Sequence, residues 1–495
     1  MKRRFLIVAA ALLMSAGVNA QEEISLDSPV LDGFNFSNLG LNGTASYVGR
    51  AGAIGALGGD FTAASYNPAG LGFFYSSRIS FTPMLEYAPT QSNYMGYKTN
   101  AARTTFKVGS FELLLAVPTG SASESGWHSF QFGIGMNRLK SFNGRSYVRG
   151  GVVDNSLLDA WCDDANYNGL ETFTSQQAYN AYLLDTLAGG YRFFNNFSGY
   201  ENGQTQERHF TTRGGISEIP ISFSGNYGDK LYVGATIGIP ILSYKSTSIY
   251  RETAENTGDF YDYTEEYEVS GSGINFKFGA IYRPVEMLRI GLAIHTPTIY
   301  EIKDLYYTSI YNSENGIRSS SVESEGGYNF CTPMKLIASV AASFGNQSSS
   351  VAGSIDVDYE YSNYSGMTFT SSQMEYSTIE YDNWRNQMNL QIDNAFRGGH
   401  TLRAGAQLNV RHWALRGGLA YFSNPYKEFE NAEFKNAEAL SLACGFGYQT
   451  KYFFWDFAYA HTTSKDMDAF AVYDSEMIHY TSYRNVFTTT IGFKF

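Results

Sequence analysis

The sequence predicts an all-β protein: a transmembrane antiparallel β-barrel of about 14 strands, with an N-terminal hatch inside its lumen and long extracellular loops. Three observations lead there. Segments of roughly ten residues with period-two alternation of apolar and polar side chains recur through most of the chain. The connections between them alternate between short and long, as the two rims of an outer-membrane barrel require. Composition agrees, with 16% aromatic and only 17% charged residues at a mean hydropathy of −0.25. In a barrel wall, lipid-facing and lumen-facing side chains alternate and their hydropathies cancel.

The chain opens with Lys2, Arg3 and Arg4, an apolar run over 5–14, and small residues ending Val18-Asn19-Ala20. These are the three regions of a secretory signal peptide, 1–20, with cleavage expected before Gln21. The apolar run is too short to span a bilayer, and no lipobox cysteine lies near the cut. Removing those three cations from 35 leaves 32 against 47 acidic residues, so the mature chain carries about −15. That balance excludes nucleic acid as a partner, since its binding needs clustered cations. Cys162, Cys331 and Cys444 are too few and too scattered for a disulfide framework.

The hatch is assigned to residues 21–76. Its centre, 43–71, is too rich in glycine for an independent helix and too irregular for a strand. Gly49, Gly52, Gly55 and Gly58 recur at every third position, which leaves one side of a helical turn bare and lets backbone approach a wall closely. The segment ends at Asn67-Pro68-Ala69-Gly70-Leu71. A dinucleotide-binding reading fails because no strand precedes the glycines and no βαβ unit surrounds them. Arg50 and Asp60 are the hatch's own candidates to meet charges on the wall.

The barrel occupies 77–495. Its expected strands are 78–87, 104–117, 128–139, 218–227, 231–242, 274–282 and 288–296, then 332–344, 350–361, 401–411, 413–421, 439–448, 452–461 and 484–495. Connections after even-numbered strands are short: 228–229, 284–287, 345–349, His412 and 449–451, with 119–126 the longest. Those after odd-numbered strands are long: 140–217, 243–273, 297–331, 362–400, 422–438 and 462–483. Short turns belong to the periplasmic rim and long loops to the outside. Within the loops, 176–187 reads as a short helix with Thr174-Ser175-Gln176-Gln177 as its capping box, and 378–396 is weakly helical. The last strand alternates to the C-terminus and ends on Phe493 and Phe495, an apolar edge that closure against the first strand would protect.

Alternation also assigns faces. Val351, Ile355, Val357, Tyr359 and Tyr361 share one side of their strand, leaving Asp356, Asp358 and Glu360 on the other. Lys335, Arg403, Arg411, Arg416, Asp456 and Lys494 likewise stand opposite their strands' aliphatics. An Arg or Lys on the lipid face costs about 2–4 kcal/mol at the midplane, so the charged row lines the lumen. Two uses are open: an ion-pair network joining wall and hatch, or an Arg among 403, 411 and 416 that attracts a ligand carboxylate. Asp164, Asn166 and Asn168 match half of a calcium loop, but the twelfth position is Ser175 rather than glutamate. A loop with Asx turns ahead of a helix is expected there instead, and no metal or cofactor. The seven histidines form no H-E-x-x-H, and there is no G-x-S-x-G elbow. No enzyme activity is expected.

A signal peptide, a Gly-rich segment ending in Asn67-Pro68-Ala69, and some 14 strands ending at Phe495 together resemble the FadL/TodX-type outer-membrane transporters of long-chain fatty acids and other hydrophobic compounds. The likeness covers the whole mature chain. It implies passive uptake, with a hydrophobic small molecule binding from outside, the hatch shifting, and lateral release through a gap beside a kinked third strand. Here that strand holds Gly133 and Gly135, which permit a kink or an ordinary strand packed on the hatch. The resemblance also implies a monomer in the outer membrane of a diderm bacterium, surrounded by lipid and lipopolysaccharide and delivered by the barrel assembly machinery, which reads Phe493 and Phe495. FadL-like barrels can also dock or shuttle secreted proteins, a non-transport alternative that the long loops accommodate.

Overall fold

The wall is made by strands that each pair with the next in sequence until the last meets the first. The computed structural model describes residues 28–120, 126–187, 192–197, 203–345, 350–370, 379–427, 437–469 and 477–495. The signal peptide, 1–20, and the start of the hatch lie outside the described residues. The barrel strands are β1 Arg78–Tyr94, β2 Tyr97–Pro118, β3 Trp127–Ser141, β4 Gln204–Tyr227, β5 Leu231–Ala254, β6 Phe260–Val285 and β7 Leu288–His295. They continue with β8 Lys335–Phe344, β9 Val351–Asn363, β10 Gly398–Val410, β11 Trp413–Phe422, β12 Ala439–Gln449, β13 Phe453–Ala469 and β14 Met477–Lys494. All neighbours run antiparallel, and β14 closes on β1 with Ile79 opposite Phe493 and Phe81 opposite Ile491. Among the described residues no helix is long and apolar enough to cross a membrane.

Closure follows from alternation. Ile79, Phe81 and Leu85 of β1 and Val351, Ile355 and Val357 of β9 are exposed on the outside, while Ser80, Thr82, Glu86, Asp356 and Asp358 between them are buried. The outer face is thus apolar and the inner face polar, the inverse of a soluble barrel. Every expected strand is present, but several run further than expected. β4, β5 and β6 are 24, 24 and 26 residues long, although about 10 cross a bilayer. The expected loop 243–273 is therefore a projecting hairpin. The first connection is a two-residue turn in which Met95 and Gly96 have φ of 51° and 79°, matching the twist of a tight hairpin. The reason is physical. Beyond the membrane neither sheet face meets lipid, so the apolar contrast that reveals a strand disappears while its hydrogen bonds continue.

Helices are few. α1 (Ser28–Ser37) and α2 (Ala45–Val48) precede the wall, α3 (Leu157–Asn168) and α4 (Ser175–Asn180) lie between β3 and β4, and α5 (Ile379–Ala395) lies between β9 and β10. α5 occupies the expected helical stretch. The expected capping box at Thr174 is absent, because the Thr174 side chain makes no cap bond and the helix covers only six residues. A true box caps α3: Ser156 accepts from Leu158 N at 3.1 Å and Asp159 accepts from Ser156 N at 3.1 Å. Asp164, Asn166 and Asn168, expected in a loop, belong to α3, where Asn168 donates to Asp164 at 2.7 Å. The buried stripe Leu158, Trp161, Cys162 and Ala165 favours helix more than the Asx side chains favour turns.

Candidate functional site in the barrel lumen

Residues 43–74 cross the lumen as a body bolted to many strands. Ala45 N donates to Thr490 on β14 at 2.8 Å, and Gln131 on β3 donates to Phe74 O at 3.0 Å. The Asp358 carboxylate on β9 takes the N–H groups of both Ile54 and Gly55, at 3.0 and 2.9 Å. On β7, Arg289 donates to Leu57 O and His295 meets Tyr66 O, each at 2.7 Å. Within the body, Thr44 donates to Asp60 at 2.6 Å and Asp60 caps Thr62 N at 2.8 Å. The hydrogen bonds of Asp60 thus stay within the hatch, while its charge faces Arg78 at the start of β1. Arg50 donates to Ser46 O and Oγ at 3.2 and 3.0 Å and, as expected, its charge also faces wall carboxylates, Asp356 of β9 and Asp456 of β13.

Asn67, Pro68 and Ala69 form the start of a 3-10 turn. The Asn67 side chain caps Ala69 N at 3.3 Å and donates to Gly55 O at 2.6 Å, while Pro68 takes the first position, where no N–H is needed. The turn lies flush on the wall. A Cβ on Gly234 of β5 would stand 2.5 Å from Pro68 O, and one on Gly279 of β6 would stand 3.1 Å from Ala69 N. The hatch glycines divide. Gly49 and Gly55 face the wall at Gly445 and Ser339, whereas Gly52 and Gly58, at φ of 86° and 64°, turn the chain. They form no helical face. Sequence reasoning named the hatch glycines but missed their wall partners, which alternate with apolar residues and look like weak strand positions.

The charged row lies in the lumen with one exception. Arg403 pairs with Glu360 at 2.8 Å and also donates to Tyr66 Oη at 2.9 Å. Lys335 stands 3.7 Å from Glu360, and Arg416 pairs with Asp456 at 2.6 Å. Asp356 is buried beside Asp358 on β9. Lys494 reaches the rim, donating to Gln449 at 3.2 Å. Arg411 is the correction: it is exposed in the β10–β11 turn with φ of 54°, because the strand ends one residue before it. Two further buried pairs were missed, Glu86 with Lys107 and Glu218 with Lys277. Each pair joins two different strands, so no one strand shows it. Phe493 and Phe495 sit exposed at the end of the closing strand, and Phe495 N donates to Ser77 O at 3.0 Å.

Above this polar floor the lumen becomes apolar. A chamber there is filled by a packed cluster in which Ile216, Leu242 and Val269 of the wall meet Phe142, Tyr300 and Phe330 of the inter-strand segments and Met388 and Ile392 of α5. α1 lies within it, burying Val30, Phe34 and Phe36. Over the chamber, α3 and α4 pack on the projecting strands through Leu158, Trp161, Tyr250, Tyr261 and Tyr263. Glu252 of β5 anchors that lid by accepting from Leu157 N at 2.9 Å. On β3, Gly133 and Gly135 face Phe61 of the hatch, which a Cβ on Gly135 would meet at 2.7 Å. β3 stays in unbroken register with β2. Towards β4 its pairing passes from Ile134–Ile221 to Asn137–Glu218 with no partner for Gly135 or Met136, and Pro220 has no N–H to offer there.

No family model and no curated protein sequence matches this chain. Solved structures do. A Pseudomonas aeruginosa FadL homologue superposes with a TM-score of 0.53 at 14% identity, over 92% of this chain and 98% of that one. The P. putida toluene transporter TodX gives 0.50 at 11% identity, over 93% and 99%. The barrel has the FadL-type fold. Strand number, closure and nearly full coverage of both chains carry that statement, which is one of architecture. In the FadL-type fold seen here, a polar floor, an apolar chamber and a lid are stacked along one lumen.

Proposed function

We propose that this protein is an outer-membrane channel for passive uptake of hydrophobic compounds, long-chain fatty acids among them. The observation that carries the reading is the apolar chamber between the lid and the hatch body. A soluble-facing lumen has no use for a buried cluster of this size, whereas an apolar solute gains by leaving water for it. The P. putida neighbour is a toluene transporter by its description, in keeping with an apolar cargo. In this reading the solute passes the lid, lodges in the chamber, and leaves sideways into lipid when the hatch shifts. The lapse in pairing beside Gly135 and Pro220 supports that side as the exit. Lateral exit spares the solute a passage through water at the periplasmic rim.

The test is purification from outer membranes in mild detergent, followed by native mass spectrometry. A bound fatty acid or other apolar molecule at up to one per barrel supports the channel. A stoichiometric protein and no apolar ligand would replace it with the docking role for secreted proteins.

A further inference from the structure

We propose that Arg103, Arg145 and Arg213 bind the phosphate of a glycolipid headgroup in the outer leaflet, at a seam in the wall between β2 and β4. The site lies outside the lumen and goes beyond the channel reading, with which it shares only the orientation of the barrel.

Strand pairing brings the three arginines together. Below the seam β2 is paired with β3 as far as Ser110 opposite Asn137. Above it, β2 borders the short strand Gly144–Val153, which pairs with β4, and Thr99 of β2 donates to Tyr147 O. Arg145 stands opposite Thr211 of β4, so Arg213 is its diagonal neighbour on the same face, at about 7–8 Å. Both are exposed. The charges that face Arg103 are those of Arg213 and Arg145. Its Nε is buried with no hydrogen-bond partner among the described residues.

Other cations of the projecting strands are paired within the fold: Arg149 with Glu207 at 3.2 Å, Lys245 with Glu266 at 3.0 Å and Arg251 with Asp262 at 2.6 Å. Among the described residues no carboxylate pairs with Arg103, Arg145 or Arg213. In a chain with 47 acidic against 35 basic residues, three guanidiniums held together repel one another unless an anion lies between them. Phosphate suits them, because its several oxygens accept from more than one guanidinium fork at once.

Depth points to a lipid as the source of that phosphate. On the outer face Phe106 of β2 and Ile241 of β5 are exposed, as lipid contacts are. Arg103 lies three residues beyond Phe106, and Arg213, opposite Lys245, lies four beyond the level of Ile241. At about 3.3 Å per residue the cations stand about 10–13 Å further along tilted strands, in the headgroup region rather than the hydrocarbon. On the same face Tyr147 and His209 stack with ring centroids 4.4 Å apart. Their flat surface beside the arginines suits the C–H face of a sugar, hence a glycolipid.

The experiment titrates the full barrel in mild detergent with bis-phosphorylated lipid A, its dephosphorylated form and inorganic phosphate, counting bound molecules by native mass spectrometry. One phosphorylated lipid per barrel is expected, bound less tightly at high salt. Arg145→Gln and Arg213→Gln, both at exposed positions, should each weaken its binding about ten-fold, and removing the phosphates should cost at least as much. Lys245→Gln, at the same level but already paired, should change binding by no more than about two-fold. An equal loss in Lys245→Gln would reduce the site to general charge and overturn the proposal. So would equal binding of the two lipids, or of wild type and both arginine variants, because the apolar wall alone would then hold the lipid. Displacement by inorganic phosphate at equal concentration would overturn it in favour of a free-anion site. Each of these results leaves the channel reading in place, since none of the variants touches the chamber.

Discussion

Gly417 and Gly418 are neighbours on β11 that face opposite sides of the wall, and they isolate what close approach of the hatch is worth. A Cβ on Gly418 would lie 2.5 Å from Arg50 O and 2.9 Å from Ala51 N, both hatch backbone, whereas one on Gly417 meets nothing nearer than 3.9 Å. Ordinary contact is about 3.5 Å, so Gly418→Ala demands a retreat of about 1 Å. β11 cannot supply it, being paired on both sides through Gly405 and Ala443. The hatch must move, and it does so at Ala51, already held at φ of 51°. Overpacking of this kind costs about 1–3 kcal/mol, which raises the population of an unseated hatch by about 5- to 150-fold. Conductance in planar bilayers reads this directly. Gly418→Ala is expected to leak small ions and to lose exchange protection over 45–56, while Gly417→Ala behaves as wild type. Equal conductance and equal protection in the two variants would mean that the hatch does not seat against β11, and the plug reading would fall.

Three other predictions follow from the lumen's polar contacts. Asp358→Ala removes the shared acceptor for Ile54 and Gly55, at a cost of about 2–3 kcal/mol; it should raise leak with the barrel still resisting unfolding in cold detergent, and Asp358→Asn should be milder. Lys277→Met leaves Glu218 buried without its partner, which destabilises by about 3–5 kcal/mol and lowers the melting temperature. Adding Glu218→Gln to that variant should restore most of the loss, and a double variant no better than the single one would refute the pair's role. Burial pushes the Asp32 carboxyl up to about 7, helped by Asp304 and opposed by a bond from Tyr267, with Tyr244 and Tyr328 also facing it. Protonated Asp32 is the docked form, so α1 docking is fully favoured below about pH 4 and weakens as pH rises through about 7. Exchange over 28–37 should therefore increase with pH more steeply than base catalysis alone requires, and Asp32→Asn should abolish the excess.

Much of this architecture was legible in the residues because a bilayer imposes a simple rule on a strand. Wherever lipid bathes one face, Val351, Ile355 and Val357 must alternate with residues such as Asp356 and Asp358, and the same rule placed Arg403, Arg416 and Asp456 in the lumen. It determined strand number, order and closure, and the lengths of the short turns at one rim. The rule is silent where lipid ends. The projecting halves of β4, β5 and β6 have no apolar contrast, α3 is held by a stripe that packs only on those strands, and Arg411 falls on the first residue past an edge. The stacking of floor, chamber and lid was likewise decided only by the tertiary structure. Phe34 and its cage at Tyr364, Phe396 and Tyr426 are separated by some hundreds of residues in sequence, and the wall glycines that receive the hatch have no local signature. Alternation is a property of one strand and its solvent, so sequence carries it; contact across a lumen depends on closure, and only the closed barrel has a lumen.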